Sequence, residues 1–126
     1  MRYLLDTHTF LWWMAEPERL PDRVARLIGE NPKEIAFSAV SAWEIAIKTS
    51  LGKLEGVPVD SLSDEVAAQG WHELPLSLRH VPVIAQLPFH HHDPFDRALV
   101  GQAMVEDLAL LSADPKIARY EIEVIW

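Results

Sequence analysis

Short apolar segments alternate along this chain with longer segments of helical periodicity, and this alternation restricts the fold more than any other feature. A short apolar run bounded by turn residues is typical of a buried strand, whereas apolar residues three and four positions apart indicate one face of a helix. Strands that alternate with helices form right-handed crossover units and a mainly parallel sheet covered on both faces. We therefore predict an α/β fold, a three-layer α/β/α sandwich whose sheet has about five strands.

The predicted elements follow one another closely. Strands are expected at residues 2–5, 33–38, 71–74, 108–111 and 122–125. Helices are expected at residues 10–15, 21–31, 61–69 and 77–87, from Ser38 or Ser41 to about residue 50, from residue 94 to the fourth strand, and briefly after residue 115. Pro21 and Pro94 suit the first position of a helix, and Gly52 and Gly70 suit the position after its last residue.

Length and composition indicate one domain. The chain has 126 residues, below the roughly 150 that one domain commonly takes, so a single domain over residues 1–126 is predicted. There is no cysteine, which excludes disulfides and thiolate metal sites and agrees with a reducing, cytoplasmic location. No run reaches the ~18 apolar residues of a membrane helix, so no membrane association is expected.

The charge balance restricts the binding functions open to the chain. Asp and Glu number 19 against 11 Lys and Arg, for a formal net charge of −8. This balance argues against a plain nucleic-acid-binding surface, because such surfaces neutralise phosphates with Lys and Arg. A phosphate-containing ligand would therefore need another source of positive charge, and a bound divalent cation is one such source.

Acidic residues follow the predicted strands, at the sheet edge where open α/β folds bind ligands. Asp6 ends the first strand, and Asp114 follows the fourth. Asp93 and Asp96 open the helix that leads to the fourth strand. Glu44 lies in the first turns of the helix after the second strand. All of these carboxylates are expected at the same edge of the sheet.

Helix capping is the simpler interpretation of each acid taken alone. Asp6 and Asp114 would cap the helices that follow them, residues 93–96 would supply an N-cap, a proline and an acid, and Ser41 with Glu44 would form a capping box. Capping does not account for convergence, since carboxylates ~4 Å apart repel by about 4 kcal/mol at an effective dielectric of 20. A cation relieves this repulsion, and carboxylate oxygens suit Mg²⁺ or Mn²⁺. The pattern therefore predicts a divalent-cation site.

Four segments carry a family resemblance. They are YLLDTHTFLWW at 3–13, SAVSAWEIAIKTSLGKL at 38–54, HHHDPFDRALVGQA at 90–103 and LLSADPKI at 110–117. Together and in this order they resemble PIN domains, specifically the VapC-like toxin ribonucleases of toxin–antitoxin pairs. The resemblance implies a parallel α/β/α sandwich and Mg²⁺- or Mn²⁺-dependent hydrolysis of RNA phosphodiesters by metal-activated water. It also implies a small antitoxin partner and a homodimer or toxin–antitoxin hetero-oligomer in the cytoplasm.

The resemblance also implies which residues act. The four acids implied as catalytic and metal-holding are Asp6, Glu44, Asp96 and Asp114. Asp93, from the DPFDR form of the third motif, is a further candidate for the metal. Ser112 matches the family's hydroxyl position beside the fourth acid, and Thr7 is expected to play a similar part beside the first.

The basic residues near the predicted site are interpreted either as RNA contacts or as surface charges, and the histidine run either as a metal site or as a loop. Arg97 and Lys48 either contact RNA phosphates or are solvated surface charges, and Lys53 and Lys116 are weighed in the same way. In the run 90–92, only the first and third histidines are expected to share a direction in an extended chain. A loop beside the site is favoured over a histidine metal site.

The tryptophans are expected in the core or at an interface. Trp12 and Trp13 are adjacent on one helix, so both cannot face one core. We hypothesise that some of Trp12, Trp13 and Trp43 line the groove that binds the antitoxin. Full burial of both Trp12 and Trp13 in the isolated chain would contradict this hypothesis.

Three other functional classes fit the sequence less well. A phosphoacceptor receiver domain needs an acidic neighbour beside Asp6 and an Asp after the third strand, where the chain has Leu74, Pro75 and Leu76. A phosphatase with an aspartyl nucleophile would have an acid at the position of His8. A non-catalytic metal-binding regulatory domain is disfavoured because all four acids of the resemblance are present.

Overall fold

A computed structural model describes all residues, 1–126, and contains one parallel sheet of five strands. The strands are β1 (Tyr3–Leu5), β2 (Ile35–Ser38), β3 (His72–Leu74), β4 (Ala109–Leu111) and β5 (Val124–Ile125). Their order across the sheet is β3-β2-β1-β4-β5, and every neighbouring pair is parallel. The prediction of a parallel α/β fold with about five strands is confirmed.

Six α-helices connect and cover these strands. They are α1 (Thr7–Ala15), α2 (Asp22–Glu30), α3 (Ala39–Ser50), α4 (Leu62–Gln69), α5 (Val81–Gln86) and α6 (Pro94–Glu106). Single 3₁₀ turns lie at Pro17–Arg19, Pro32–Glu34, Val59–Ser61 and Ile117–Arg119. None of the helices is long and apolar enough to cross a membrane.

Each face of the sheet has its own apolar core, because successive strand residues point to opposite faces. Leu4 and Leu110 contribute to a cluster with residues of α6, including Leu99. Leu5 and Leu111 contribute to the other cluster, which contains buried residues of α1, α2, α3 and α4. The two clusters confirm the three-layer sandwich.

The sheet has one topological switch point, between β1 and β4. Successive strands extend from β1 toward β3 on one side and from β4 to β5 on the other, so the connections diverge at this point. In the β1–β4 register Leu5 pairs with Leu111, which places the residues that follow these two strands side by side. Ligands of open α/β sheets bind in the crevice at such a point. A flavodoxin-like receiver sheet has the different order 2-1-3-4-5, which excludes that alternative.

Several predicted boundaries are wrong. The first helix begins at Thr7 rather than residue 10, because the Asp6 side chain caps it directly after the strand. The segment predicted as a helix over 77–87 is helical only from Val81, since Pro82 is tolerated in a first helical turn and not in a helix interior. The helix expected after residue 115 is a single 3₁₀ turn.

Candidate metal centre and active site

Asp6 stands at the carboxyl end of β1, at the switch point. Its Oδ1 accepts a hydrogen bond of 2.8 Å from the Thr9 backbone N–H, so the predicted capping role is confirmed. The Thr9 hydroxyl donates to the Leu111 carbonyl at 2.9 Å, which joins this helix start to the end of β4. The side chain of Asp6 is buried, with 4% of its surface exposed. Burial raises its pKa, and hydrogen bonds from Ser112 and Thr9 oppose that rise.

Glu44 lies in the second turn of α3, and 3% of its surface is exposed. Its Oε1 accepts the Thr7 hydroxyl proton at 2.6 Å, and its Oε2 accepts from Lys48 Nζ at 2.5 Å. The hydrogen bond to Glu44 in turn raises the pKa of Lys48. Both carboxylate oxygens are therefore held by side chains.

The predicted capping box of Ser41 and Glu44 is wrong. The N-cap of α3 is Ser38, whose Oγ accepts from the Val40 backbone N–H at 3.0 Å. Ser41 is buried inside the helix, with its hydroxyl 3.0 Å from that of Thr7. Glu44 thus faces α1 and is not used to cap its own helix.

Asp93 and Asp96 occupy the start of α6 as predicted. Asp93 is the N-cap, its Oδ1 accepts from the Asp96 backbone N–H at 3.0 Å, and Pro94 begins the helix. The pKa of Asp96 is raised to about 7, first by burial and then by the nearby carboxylate of Asp93. The carboxylates of Glu44 and Asp6 raise it further, and His91 lowers it. Negative charges from three elements therefore act on one side chain.

Asp114 follows β4 in a tight turn. Its Oδ1 accepts from the Lys116 backbone N–H at 2.8 Å, and its own N–H donates to Ser112 Oγ at 3.1 Å. Ser112 is buried and also hydrogen-bonds Asp6. One hydroxyl therefore links the acid after β1 to the acid after β4.

His91 is a site residue that sequence reasoning missed. Its Nε2 lies 2.8 Å from Asp114 Oδ2 and 3.0 Å from Asp96 Oδ2. His90 instead packs against Tyr120, with ring centroids 5.0 Å apart, and His92 stacks on Phe89 at 5.6 Å. The middle histidine, His91, is therefore the one whose ring points toward the acids. The alternation of side chains in an extended segment could not predict this, because the direction of the ring depends on how the loop turns toward α6.

The structure brings some of the predicted acids together more closely than others. One nitrogen of His91 and one oxygen each of Asp96 and Asp114 lie within 4.8 Å of one another, as the ligands of one cation would. Asp6, Glu44 and Asp93 are outside this group of three atoms. The carboxylates of Asp6 and Glu44 nevertheless raise the pKa of Asp96, so they are near enough to act on it electrostatically.

The structure contradicts the expectation that Arg97 contacts RNA phosphates. Arg97 is 7% exposed, and its guanidinium donates to the carbonyls of Ile84, Leu87 and Pro88 at 3.0–3.2 Å. The guanidinium also lies 4.1 Å from the centre of the Phe89 ring. Its donors are used to hold the segment between α5 and α6. Lys48 is partly exposed beside Glu44, and Lys53 and Lys116 are exposed.

Trp12, Trp13 and Trp43, the three tryptophans of the interface hypothesis, are not fully buried. Trp12 and Trp13 are half-buried, with Trp12 against Trp126 and Trp13 against Trp71. Trp43 is 59% exposed and meets the edge of Phe95, with ring centroids 5.2 Å apart. The condition that would contradict the interface hypothesis is therefore not met.

The fold and the site together define an α/β/α protein with a cluster of acidic residues at the switch point of a parallel sheet. The PIN domain family profile matches residues 3–123, and the chain belongs to this family. It is 29% identical over 119 residues to the ribonuclease VapC22 of Mycobacterium tuberculosis, a match that covers 90% of this chain and 88% of the relative.

Solved structures share the fold. VapBC2 from Rickettsia felis, bound to a DNA fragment from its promoter, matches with a TM-score of 0.75 and 14% identity, over 100% of this chain and 99% of the other. FitAcB from Neisseria gonorrhoeae matches with a TM-score of 0.68 and 16% identity, over 98% of this chain and 96% of the other. A toxin–antitoxin complex from Klebsiella pneumoniae matches with a TM-score of 0.66 and 15% identity, over 98% of this chain and 96% of the other.

Proposed function

We propose that this protein is a Mg²⁺- or Mn²⁺-dependent endoribonuclease that acts as the toxin of a toxin–antitoxin pair. The observation that carries the proposal is the convergence of acids from three parts of a PIN-domain chain on the switch point of its sheet. The relative named a ribonuclease and the structural neighbours from toxin–antitoxin complexes support the same function.

The side chains at the site fit a hard divalent cation. The donor set is mostly carboxylate oxygen, which Mg²⁺ and Mn²⁺ prefer. Burial and, after it, the nearby carboxylates raise the pKa of Asp96, and a bound cation would offset that negative charge. The residues proposed to hold the cation are Asp6, Glu44, Asp96 and Asp114, with Asp93 as a further candidate. A cation bound there would supply a nucleophile by lowering the pKa of water and would offset charge on the scissile phosphate.

The chain's own groups prepare this site by fixing its carboxylates. Thr7 and Lys48 each hold one oxygen of Glu44, so that side chain keeps one orientation. Ser112 holds Asp6 and the turn that carries Asp114. We propose that Lys48, the partly exposed cation of this group, also approaches a phosphate of the RNA substrate.

The proposed partners are an RNA substrate, a small antitoxin and further copies of the toxin, in a homodimer or a toxin–antitoxin hetero-oligomer. The exposed aromatic surface at Trp43, with the half-buried Trp12 and Trp13, is the proposed docking region of the antitoxin. The proposed location is the cytoplasm, which agrees with a chain free of cysteine.

Cleavage of structured RNAs by purified, antitoxin-free protein tests the proposal. We expect cleavage with Mn²⁺ or Mg²⁺, none with EDTA, and none with Asp96→Asn. The matched control is Asp64→Asn, because Asp64 has the same third position in its helix but is exposed and is not one of the proposed site residues. Cleavage by Asp96→Asn at the wild-type rate, or cleavage that persists in EDTA, would contradict the proposed enzyme.

A further inference from the structure

The imidazole of His91 lies between two candidate acids, and the backbone of His91 is fixed by hydrogen bonds to other residues. Its backbone N–H donates to the Tyr120 hydroxyl oxygen at 3.0 Å, and its carbonyl lies 3.4 Å from a guanidinium nitrogen of Arg97. The side chain is 12% exposed. The ring therefore has a fixed position relative to Asp96 and Asp114.

The backbone of the loop determines which ring nitrogen carries the proton. The Asp93 backbone N–H donates to His91 Nδ1 at 3.2 Å. A backbone N–H can only donate, so Nδ1 must present a lone pair, and the ring proton must be on Nε2. That proton faces Asp114 Oδ2 at an Nε2–oxygen distance of 2.8 Å, with Asp96 Oδ2 at 3.0 Å.

A histidine that coordinates a metal through Nε2 needs the opposite arrangement. Its Nε2 must present the lone pair, and its Nδ1 commonly donates a proton to a carbonyl or carboxylate. Here Nδ1 faces a donor. The short distances from Nε2 to the two acids are those of a hydrogen-bond donor seated between carboxylates.

We propose that His91 is a positioning residue that uses its Nε2–H to hold Asp114 beside Asp96 and thereby sets the spacing of two carboxylates for the cation. It is not itself a ligand. This inference rests on the proposed function, since it assigns His91 a role in the same cation site. Outer-shell groups that orient ligands commonly change metal affinity 10- to 100-fold when they are removed.

The first measurement is the protonation of the His91 ring in ¹⁵N-labelled protein, by long-range ¹H–¹⁵N correlation in EDTA at neutral pH. We expect a proton on Nε2 and none on Nδ1. The second is Mn²⁺ binding followed by electron paramagnetic resonance. We expect His91→Ala to weaken Mn²⁺ binding about 10-fold or more. His91→Gln should restore most of the affinity, because its amide places an N–H donor near the Nε2 position.

His90→Ala and His92→Ala are the controls, since they remove neighbouring imidazoles that face Tyr120 and Phe89, and they should bind Mn²⁺ like wild type. A proton on Nδ1, a nitrogen coupling to bound Mn²⁺ that disappears in His91→Ala, or unchanged affinity in His91→Ala would each overturn the inference. Wild-type protein that binds no Mn²⁺ would instead overturn the proposed cation site. The position of the ring proton is measured in EDTA, so it tests the His91 hydrogen bond whether or not the protein binds Mn²⁺.

Discussion

The surroundings of Asp96 disfavour the ionised form of its carboxyl group. Its pKa is raised from 3.8 to about 7, so the folded protein favours the protonated carboxyl more than the unfolded chain does. The resulting penalty on folding is absent below about pH 4 and fully present above about pH 7. In metal-free protein we expect Asp96→Asn to raise the free energy of unfolding at pH 8 by roughly 1 to 3 kcal/mol, and to change it little at pH 4.

Urea denaturation in EDTA at the two pH values measures this difference. Asp64→Asn, which removes an exposed acid at the same helical position, should show no comparable dependence on pH. A gain for Asp96→Asn that is as large at pH 4 as at pH 8 would contradict the proposed electrostatic origin.

Arg97 stabilises the fold through buried hydrogen bonds. Arg97→Ala would remove the side-chain donor of the Leu87 and Pro88 carbonyls, whereas the Ile84 carbonyl would keep its bond from the Leu87 backbone N–H. Each buried unsatisfied group costs about 1 to 3 kcal/mol. Water entering the gap will satisfy some of them, so we expect a total loss of about 2 to 4 kcal/mol in urea denaturation. Arg119→Ala, at an exposed position, should change stability by less than about 0.5 kcal/mol. Equal losses of stability in Arg97→Ala and Arg119→Ala would show that the hydrogen bonds of the Arg97 guanidinium do not stabilise the fold.

Site positions that follow from the order of strands and helices were more predictable than the contacts that side chains make with loops. Asp6 and Asp96 lie at positions that the strand and helix pattern determines, because the carboxyl ends of parallel strands share one edge. His91 and Arg97 depend on the path of the segment between α5 and α6. Arg97 comes directly after Asp96, yet the helical turn points its guanidinium into the protein. Sequence proximity to a site does not reveal such a difference in direction.

At the level of elements, Gly101 permits the close packing of α6 against α5. A Cβ added at Gly101 would lie 2.4 Å from Ile84 Cγ1 and 3.4 Å from Ile84 Cα, so the helices would have to separate. We expect Gly101→Ala to destabilise the protein by about 1 to 3 kcal/mol in urea denaturation, despite the better helix propensity of alanine.

Gly29 in α2 is the matched control. A Cβ there meets only Trp13 at an ordinary 3.5 Å, so Gly29→Ala should stabilise the protein by about 0.5 to 1 kcal/mol. Adding Ile84→Ala should recover part of the loss in Gly101→Ala, which a double-mutant cycle detects. A purely additive cycle would contradict the steric explanation.

The elements themselves differ in how far sequence determines them. The helix at Pro94–Glu106 has an N-cap, a proline at its first position and a long apolar face, and these signals agree. The start of α3 was ambiguous, because Ser38 and Ser41 are both good N-cap residues. Ser38 takes the role, and its hydroxyl also lies 2.5 Å from Gln102 Oε1 in α6. That second contact joins residues that are 64 positions apart in the chain, so the local sequence around Ser38 could not predict it.

For the whole molecule, cation binding should couple to stability. A ligand that binds only the folded state adds about 2.7 kcal/mol when its concentration is 100 times its Kd. For a chain of 126 residues we expect Mn²⁺ at such a concentration to raise Tm by several degrees. Thermal denaturation measures this increase. A second sample in NaCl of equal ionic strength shows how much of the increase comes from screening of the net charge of −8 rather than from binding of Mn²⁺.

Asp6→Asn keeps a side chain that can cap α1 and removes one proposed ligand charge. The increase in Tm caused by Mn²⁺ should be much smaller in this variant, and Glu44→Gln should behave in the same way. An undiminished increase in both variants would place the bound cation elsewhere on the acidic surface.

The position of β4 beside the central strand β1 has a consequence for folding during synthesis on the ribosome. β1 and β2 can pair early, but β4, the other neighbour of β1, is synthesised much later, and the hydrogen bond from Thr9 to Leu111 spans 102 residues. At about 5 to 20 residues per second, synthesis delays this pairing by roughly 5 to 20 seconds. Two of the four proposed acids, Asp96 and Asp114, also emerge late. A nascent chain therefore lacks a complete site until Asp114 has been synthesised.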